Sequence, residues 1–134
     1  MSERRRTEFD GESSELSAAE GGTISDRRAM SDRVLGDVGT RLLFENDRVR
    51  AWELRLAPGE DSPPHRHELD HLLIQLSGDR VAVIPEADTE GPYEDYLEAD
   101  VIPGMTVFVR RGGVETARNV GTEPYREIII ELKD

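Results

Sequence analysis

His65, His67 and His71 fall within seven positions and are the only histidines of the chain. A neutral imidazole is the commonest side-chain ligand for a transition metal. On a strand, alternate residues share a face, so His65 and His67 project together with Cα atoms ~7 Å apart, close enough for both rings to reach one ion. His71 would stand ~13 Å from His67 on a straight strand, too far to join them. A single site therefore requires the chain to reverse near Glu68 to Asp70, with Asp70 in the turn and His71 opening the returning strand. The chain has no cysteine. Any bound metal must then be held by nitrogen and oxygen, which excludes thiolate sites and iron–sulfur chemistry. The alternative reading is a metal-free polar pocket in which the three rings are satisfied by hydrogen bonds.

The elements that must place these rings read as strands. Leu42 to Phe44 is short and apolar. Arg48 to Leu56 alternates, with Val49, Trp52, Leu54 and Leu56 interleaved with charge, and stops at Ala57-Pro58-Gly59. His71 to Leu76, Val81 to Ile84, Tyr93 to Leu97, Thr106 to Val109, Val114 to Val120 and Tyr125 to Leu132 follow, bounded by glycine and proline turns. Gly112-Gly113, between two of these runs, predicts a hairpin. Ile128-Ile129-Ile130 predicts a fully buried stretch. No segment from Arg41 to Leu132 has helical periodicity. About eight short strands spaced 8–12 residues apart predict an all-β sandwich or barrel.

Residues 1–35 are rich in Ser, Glu, Gly and Arg and nearly free of large aliphatic side chains. Such a stretch cannot bury enough apolar surface to offset its ordering entropy, so the expected organisation is a flexible polar tail followed by one domain over residues 36–134. The chain of 134 residues carries a formal net charge of −12. An acidic surface of that strength argues against nucleic acid and anionic membranes as partners. No apolar run approaches the ~20 residues that span a bilayer, and Arg4-Arg5-Arg6 precedes no apolar segment. The expected location is cytoplasmic. A core of this modest size gains from pairing with a second copy, so a homodimer is expected.

The spacing of the histidines among the glycines resembles the cupin superfamily. Gly59, His65, His67 and Gly78 match its first motif, with His71 where the family has glutamate. Gly104, Gly112 and Asn119 match the second, with Arg110 in place of a proline and Glu115 where the family has histidine. The resemblance implies a single-domain cupin, a double-stranded β-helix or jelly-roll barrel. It also implies a metal set of His65, His67, His71 and Glu115, the family's three imidazoles and one carboxylate with two positions exchanged. Such a set suits Fe2+, Mn2+, Ni2+, Cu2+ or Zn2+ with positions left for water or substrate. Glu68 and Asp70 compete with Glu115, but parity turns Glu68 to the other face and leaves Asp70 in the turn.

Four further residues are candidates for a substrate pocket. Gln75 shares the parity of His71, Trp52 offers a ring, and Arg110 and Arg118 could grip a carboxylate with a bidentate fork. Solvent-exposed arginines and a core tryptophan are the alternative readings. The resemblance implies a metal-dependent enzyme on a small organic metabolite, either a dioxygenase or a Lewis-acid isomerase or lyase. The alternative is a non-catalytic cupin that binds a small molecule or metal as a sensor or accessory protein.

Overall fold

The computed structural model describes residues 34–134. The polar tail expected over residues 1–35 lies outside the described residues except for its last two. Nine strands run in chain order: β1 (Arg41–Glu45), β2 (Val49–Leu56), β3 (His65–Arg66), β4 (His71–Ser77), β5 (Arg80–Pro85), β6 (Leu97–Asp100), β7 (Thr106–Val109), β8 (Val114–Asn119) and β9 (Tyr125–Leu132). They form a five-stranded sheet in the order β1-β2-β9-β4-β7 and a four-stranded sheet in the order β3-β8-β5-β6, with antiparallel pairing throughout. The all-β barrel expected from strand spacing is therefore the fold. Among the described residues no helix is long and apolar enough to cross a membrane.

The two inner faces meet over Leu54, Leu56, Leu73, Val81, Val83, Val107, Val109, Tyr125 and Ile129, all buried. β4, β7 and β9 alternate, so every second residue of these strands lines this core and the others face outward. The triple isoleucine shows the rule at work and corrects the expectation of a fully buried run. Only Ile129 points inward; Ile128 and Ile130 are half-buried on the outer face. The inward partners of Ile129 are Tyr125, Glu127 and Glu131, so β9 delivers two carboxylates to the interior.

The Gly112-Gly113 hairpin is also corrected. β7 pairs with β4 in one sheet, whereas β8 pairs with β3 and β5 in the other, so the chain crosses between sheets at this point. The crossing is pinned by backbone bonds from Gly112 N to His67 O and from His67 N to Gly113 O, each 2.8 Å. Gly112 has φ 114°, and a Cβ there would stand 2.9 Å from the Glu90 carbonyl oxygen. No other residue type fits that position without strain.

The expected strand at Tyr93 to Leu97 begins only at Leu97, where β6 pairs with β5. The preceding residues form irregular structure with Tyr93 packed against the core.

Candidate metal centre

The segment before β4 is zipped onto β8. Gly59 N donates to Asn119 O, Ser62 N to Ala117 O, and His65 pairs directly across from Glu115. Two prolines, Pro63 and Pro64, lack the N–H that would continue the ladder, which limits the formal strand β3 to two residues. The Ser62 hydroxyl holds the run in place by accepting from Ala117 N at 2.9 Å. Directly opposed residues have Cβ atoms ~5 Å apart, so this register alone brings the first histidine to the acid of the second motif.

Three ligand atoms converge, one each from His65, His67 and Glu115, all within 4.8 Å of one another. All three residues are buried. His67 Nε2 lies 3.3 Å from Glu115 Oε2. The rings of His65 and His67 meet edge to face, with centroids 4.8 Å apart. They border a small interior cavity of about 10 Å3 that is also lined by Glu127, Leu54, Leu73, Val81, Val83, Ala117 and Ile129. That is room for a single water or ion.

His71 stands next to this group without joining it. The chain does reverse at Asp70, whose carboxylate accepts from Arg111 N at 2.8 Å, and His71 opens β4 pointing inward with no exposure. Its ring stacks on His67 with centroids 4.1 Å apart and a 16° tilt. Its Nδ1 is tied to Leu69 O at 2.9 Å. The group whose ligand atoms converge does not include it. The expected set of four is thus three that converge and one close neighbour.

Tautomers follow from the acceptors. A carbonyl only accepts, so Nδ1 of His65, 3.0 Å from Pro63 O, must carry the proton and leave Nε2 as a lone pair. The same argument makes Nε2 of His71 a lone pair, and that atom is buried with no hydrogen-bond partner. Nδ1 of His67 is likewise buried without one. Backbone carbonyls that orient imidazoles in this way are characteristic of metal sites.

The electrostatics agree. Burial pushes the His65 and His67 imidazoles down to about 3 and His71 well below the usual histidine range. All three are therefore neutral, the form that binds metal. Burial, reinforced by the Glu127 charge, drives the Glu115 carboxyl well above its usual range, and burial raises Glu127 to about 7. Two of the residues that line the cavity are acids, Glu115 and Glu127, and none is arginine or lysine. A divalent cation bound there would add positive charge beside them. Neutral nitrogens, an oxygen donor, buried ring nitrogens without a hydrogen-bond partner and one ion-sized space fit a transition metal.

The four pocket candidates separate. Arg118 is corrected: it lies on the outside of β8, where its guanidinium forks onto Asp61 at 2.6 and 2.9 Å. Arg110 is corrected too, being exposed just past the end of β7. Gln75 is buried, but it serves the fold: its Oε1 accepts from Ile102 N at 3.1 Å and its Nε2 donates to the Tyr125 hydroxyl at 3.4 Å. Tyr125 in turn donates a short hydrogen bond to Glu127. Trp52 does line a pocket, a cleft of about 300 Å3 at the barrel mouth shared with Arg50, Arg66, Glu68, Glu45 and Glu131. There its Nε1 donates to Glu131 at 2.8 Å, and Arg50 Nε donates to the same oxygen at 2.6 Å. Glu131 stands directly across from His71 on β4, so this residue of the cleft wall is a neighbour of that imidazole. Glu127 and Glu131 were not anticipated. The signal was the polar alternation of Tyr125-Arg-Glu-Ile-Ile-Ile-Glu-Leu132, masked by the three isoleucines.

No protein-family model matches the sequence, and no curated relative does. Solved structures do. A cupin domain from Bordetella pertussis Tohama I superposes with a TM-score of 0.60 at 20% identity, over 76% of this chain and 98% of its own. This chain has the cupin fold. A Cupin 2 conserved barrel domain protein from Salinispora arenicola CNS-205 gives a TM-score of 0.52 at 16% identity, covering 69% of this chain and 73% of its own. A conserved protein with a double-stranded β-helix domain from Klebsiella pneumoniae gives 0.53 at 18% identity, covering 75% and 81%. At these identities the likeness establishes the cupin fold and leaves the chemistry to this chain's own residues.

Proposed function

We propose that this cupin is a metal-dependent enzyme acting on a small organic metabolite. His65, His67 and Glu115 would hold one divalent transition ion, with His71 as the adjacent fourth candidate. The carrying observation is the convergence of their three ligand atoms within 4.8 Å of one another, all on buried residues. Bound there, an Fe2+, Mn2+, Ni2+, Cu2+ or Zn2+ ion would supply Lewis acidity or, for a redox-active ion, activation of O2. The chain's own groups would do the rest. Pro63 and Leu69 carbonyls fix the ring tautomers of His65 and His71. Glu127, raised to about 7 and paired with Tyr125, can keep or give up a proton near neutral pH beside the cavity. The mouth cleft of about 300 Å3, with Trp52 and Arg50 over Glu131, is the natural place for a substrate a few atoms across. Dioxygenase and isomerase or lyase chemistry both fit this arrangement.

Elemental analysis of protein purified without added metal is the first test, followed by oxygen uptake and product analysis across a panel of small acids. About one ion per chain with turnover of at least one compound is expected. A chain that takes up none of the five ions at micromolar concentration would overturn the proposal.

A second reading rests on the size of the interior cavity. At about 10 Å3 it admits an ion and leaves no space for substrate beside it. A non-catalytic metal or small-molecule binder would look the same there. Stoichiometric metal with ligand binding in the cleft and no turnover would favour that reading.

A further inference from the structure

Where β2 ends and β9 begins, away from the mouth cleft, the five-stranded sheet carries a row of hydrogen-bond donors in register. Arg55 on β2 stands directly opposite Arg126 on β9, and Arg126 directly opposite Ser77 on β4. A bulge in β4 between Gln75 and Ser77 sets Ser77 at that position in place of Leu76, and bulges re-aim side chains in this way. All three residues line a surface cavity of about 390 Å3 that is also walled by Leu56, Pro124 and Tyr125. A few polar groups beside apolar walls, in a space of that size, make a small-molecule pocket.

The charge at this place is unbalanced. Like charges directly opposed on neighbouring strands repel, and Arg55 and Arg126 are so opposed. Together with Arg41 they share Glu53, which among the described residues is the only acid in ion-pair contact with any of the three. One carboxylate thus serves three guanidiniums, in a chain whose formal net charge is −12. Arg126 and Arg55 both approach Glu53 through Nε, which leaves their terminal nitrogens for another acceptor. Glu53 is 1% exposed, so the anchor that holds these two side chains is itself fixed. The acid on the cavity wall, Glu60, is engaged elsewhere: its Oε1 accepts from Ala57 N at 2.8 Å.

We propose that this cavity binds a small organic oxyanion, a phosphate monoester or a carboxylate. Its charged group would lie on Arg55, Arg126 and Ser77, and its apolar body against Leu56, Pro124 and Tyr125. A guanidinium fork matches the paired oxygens of either group. The pocket is distinct from the mouth cleft. The Arg50–Glu131 and Arg55–Arg126 pairs lie five positions apart on the same two strands, ~17 Å along the sheet.

The test is isothermal titration of the full chain with phenyl phosphate and with benzoate, at constant ionic strength. One or both should bind at a single site per chain with a Kd of about 1 mM or below, and the compound that binds identifies the headgroup. Arg55→Gln should weaken binding by roughly 10-fold or more, and Ser77→Ala by about 3-fold. Arg118→Gln removes the same charge from the other sheet and should leave the affinity unchanged. Circular dichroism confirms that each variant is folded. No binding of either compound up to about 20 mM, or binding that Arg55→Gln and Ser77→Ala both leave intact, overturns the proposal. An anion held by a metal at the imidazoles would give the second result, so the failure of this pocket and the failure of the metal centre are read separately.

Discussion

Glu53 and Glu115 are both almost fully buried glutamates on strands of the same barrel, and their surroundings are opposite. Glu53 faces outward on β2 and is covered by the arginines themselves rather than sunk in the core. Arg126 makes a short bond to it, Arg55 stands at 3.2 Å and Arg41 at 3.2 Å. Their hydrogen bonds, Arg126 first, hold its carboxyl down at about 2. Glu115 faces inward, where neutral imidazoles and apolar side chains surround the cavity, and burial drives its carboxyl up. The first acid brings its counter-charge with the chain. The second lies where, among the described residues, a possible ligand set converges. A buried carboxyl whose value is driven up is either kept protonated or stabilised by a bound cation. That difference fits a structural role for Glu53 and the proposed ligand role for Glu115.

The largest effect should come from removing the ligands. Loss of a residue that merely orients a metal ligand costs 10- to 100-fold in affinity, so His67→Ala and Glu115→Gln should each weaken metal binding by more than ~100-fold. Isothermal titration in two buffers of different ionisation enthalpy should show net proton release on ion binding, because burial favours the protonated form of the Glu115 carboxyl and a ligand carboxylate must be ionised. Glu53→Gln should leave the affinity unchanged and lower the melting temperature, since three arginines then lose their acceptor. If Glu53→Gln removed metal and Glu115→Gln did not, the contrast between the two acids would be inverted.

Next in size is Gly112→Ala. A Cβ at φ 114° is strained, and here it also meets the Glu90 carbonyl at 2.9 Å. The expected cost is about 2 kcal/mol of unfolding free energy, measured by urea denaturation. The same backbone anchors His67, so metal affinity should fall as well although no ligand is changed. A stable variant with full affinity would show that the crossing does not position the site.

The pH dependence of the metal-free protein sharpens the comparison further. His65 and His67 titrate at about 3 in the folded chain and near 6.5 when unfolded. Between these values the unfolded chain binds more protons, so stability falls as pH drops from 6.5 toward 3. Glu127 acts in the opposite sense. Its folded value of about 7 exceeds the unfolded 4.5, so its contribution is fully present below pH 4.5 and is lost as pH rises through about 7. Relative to Glu127→Gln, the wild-type melting temperature in chelator should therefore decline between pH 4.5 and 7. Parallel curves would place Glu127 among ordinary ionised acids.

How much of this was legible in the sequence differs between local and long-range features. β7 and β9 coincide with runs read from strand-forming composition between glycine and proline turns, because such breakers mark where a strand must end. The cupin resemblance rested on Gly59, Gly78, Gly104 and Gly112, and all four have positive φ, a requirement that one residue type meets cheaply. The histidine spacing was visible for the same reason, as a short-range pattern. What could not be read was which strand pairs with which. Gly112-Gly113 has hairpin composition, yet the crossing between sheets is decided by His67 and Glu90, far away in the chain. The isoleucine run hid Glu127 and Glu131, because composition reports hydrophobicity and only register reports the face.

The smallest effect predicted concerns Arg118, which spacing and charge made a candidate for gripping substrate. Its fork onto Asp61 is an exposed pair on the far side of β8, with both side chains about 40% accessible. Exposed pairs of this kind contribute ~0.2–1 kcal/mol, reduced further by salt. Arg118→Ala should therefore lower stability by no more than about 0.5 kcal/mol and leave metal affinity and any turnover as they are. Arg50→Ala is the informative counterpart. It removes the cation held by Glu131, the residue of the cleft wall that neighbours the His71 imidazole, and should alter ligand binding there while the overall fold persists. Two arginines of equal charge, one outside β8 and one at the barrel mouth, thus report whether position relative to the buried imidazoles governs function. Equal effects of the two substitutions on ligand binding would mean that the cleft is not the entrance to the site.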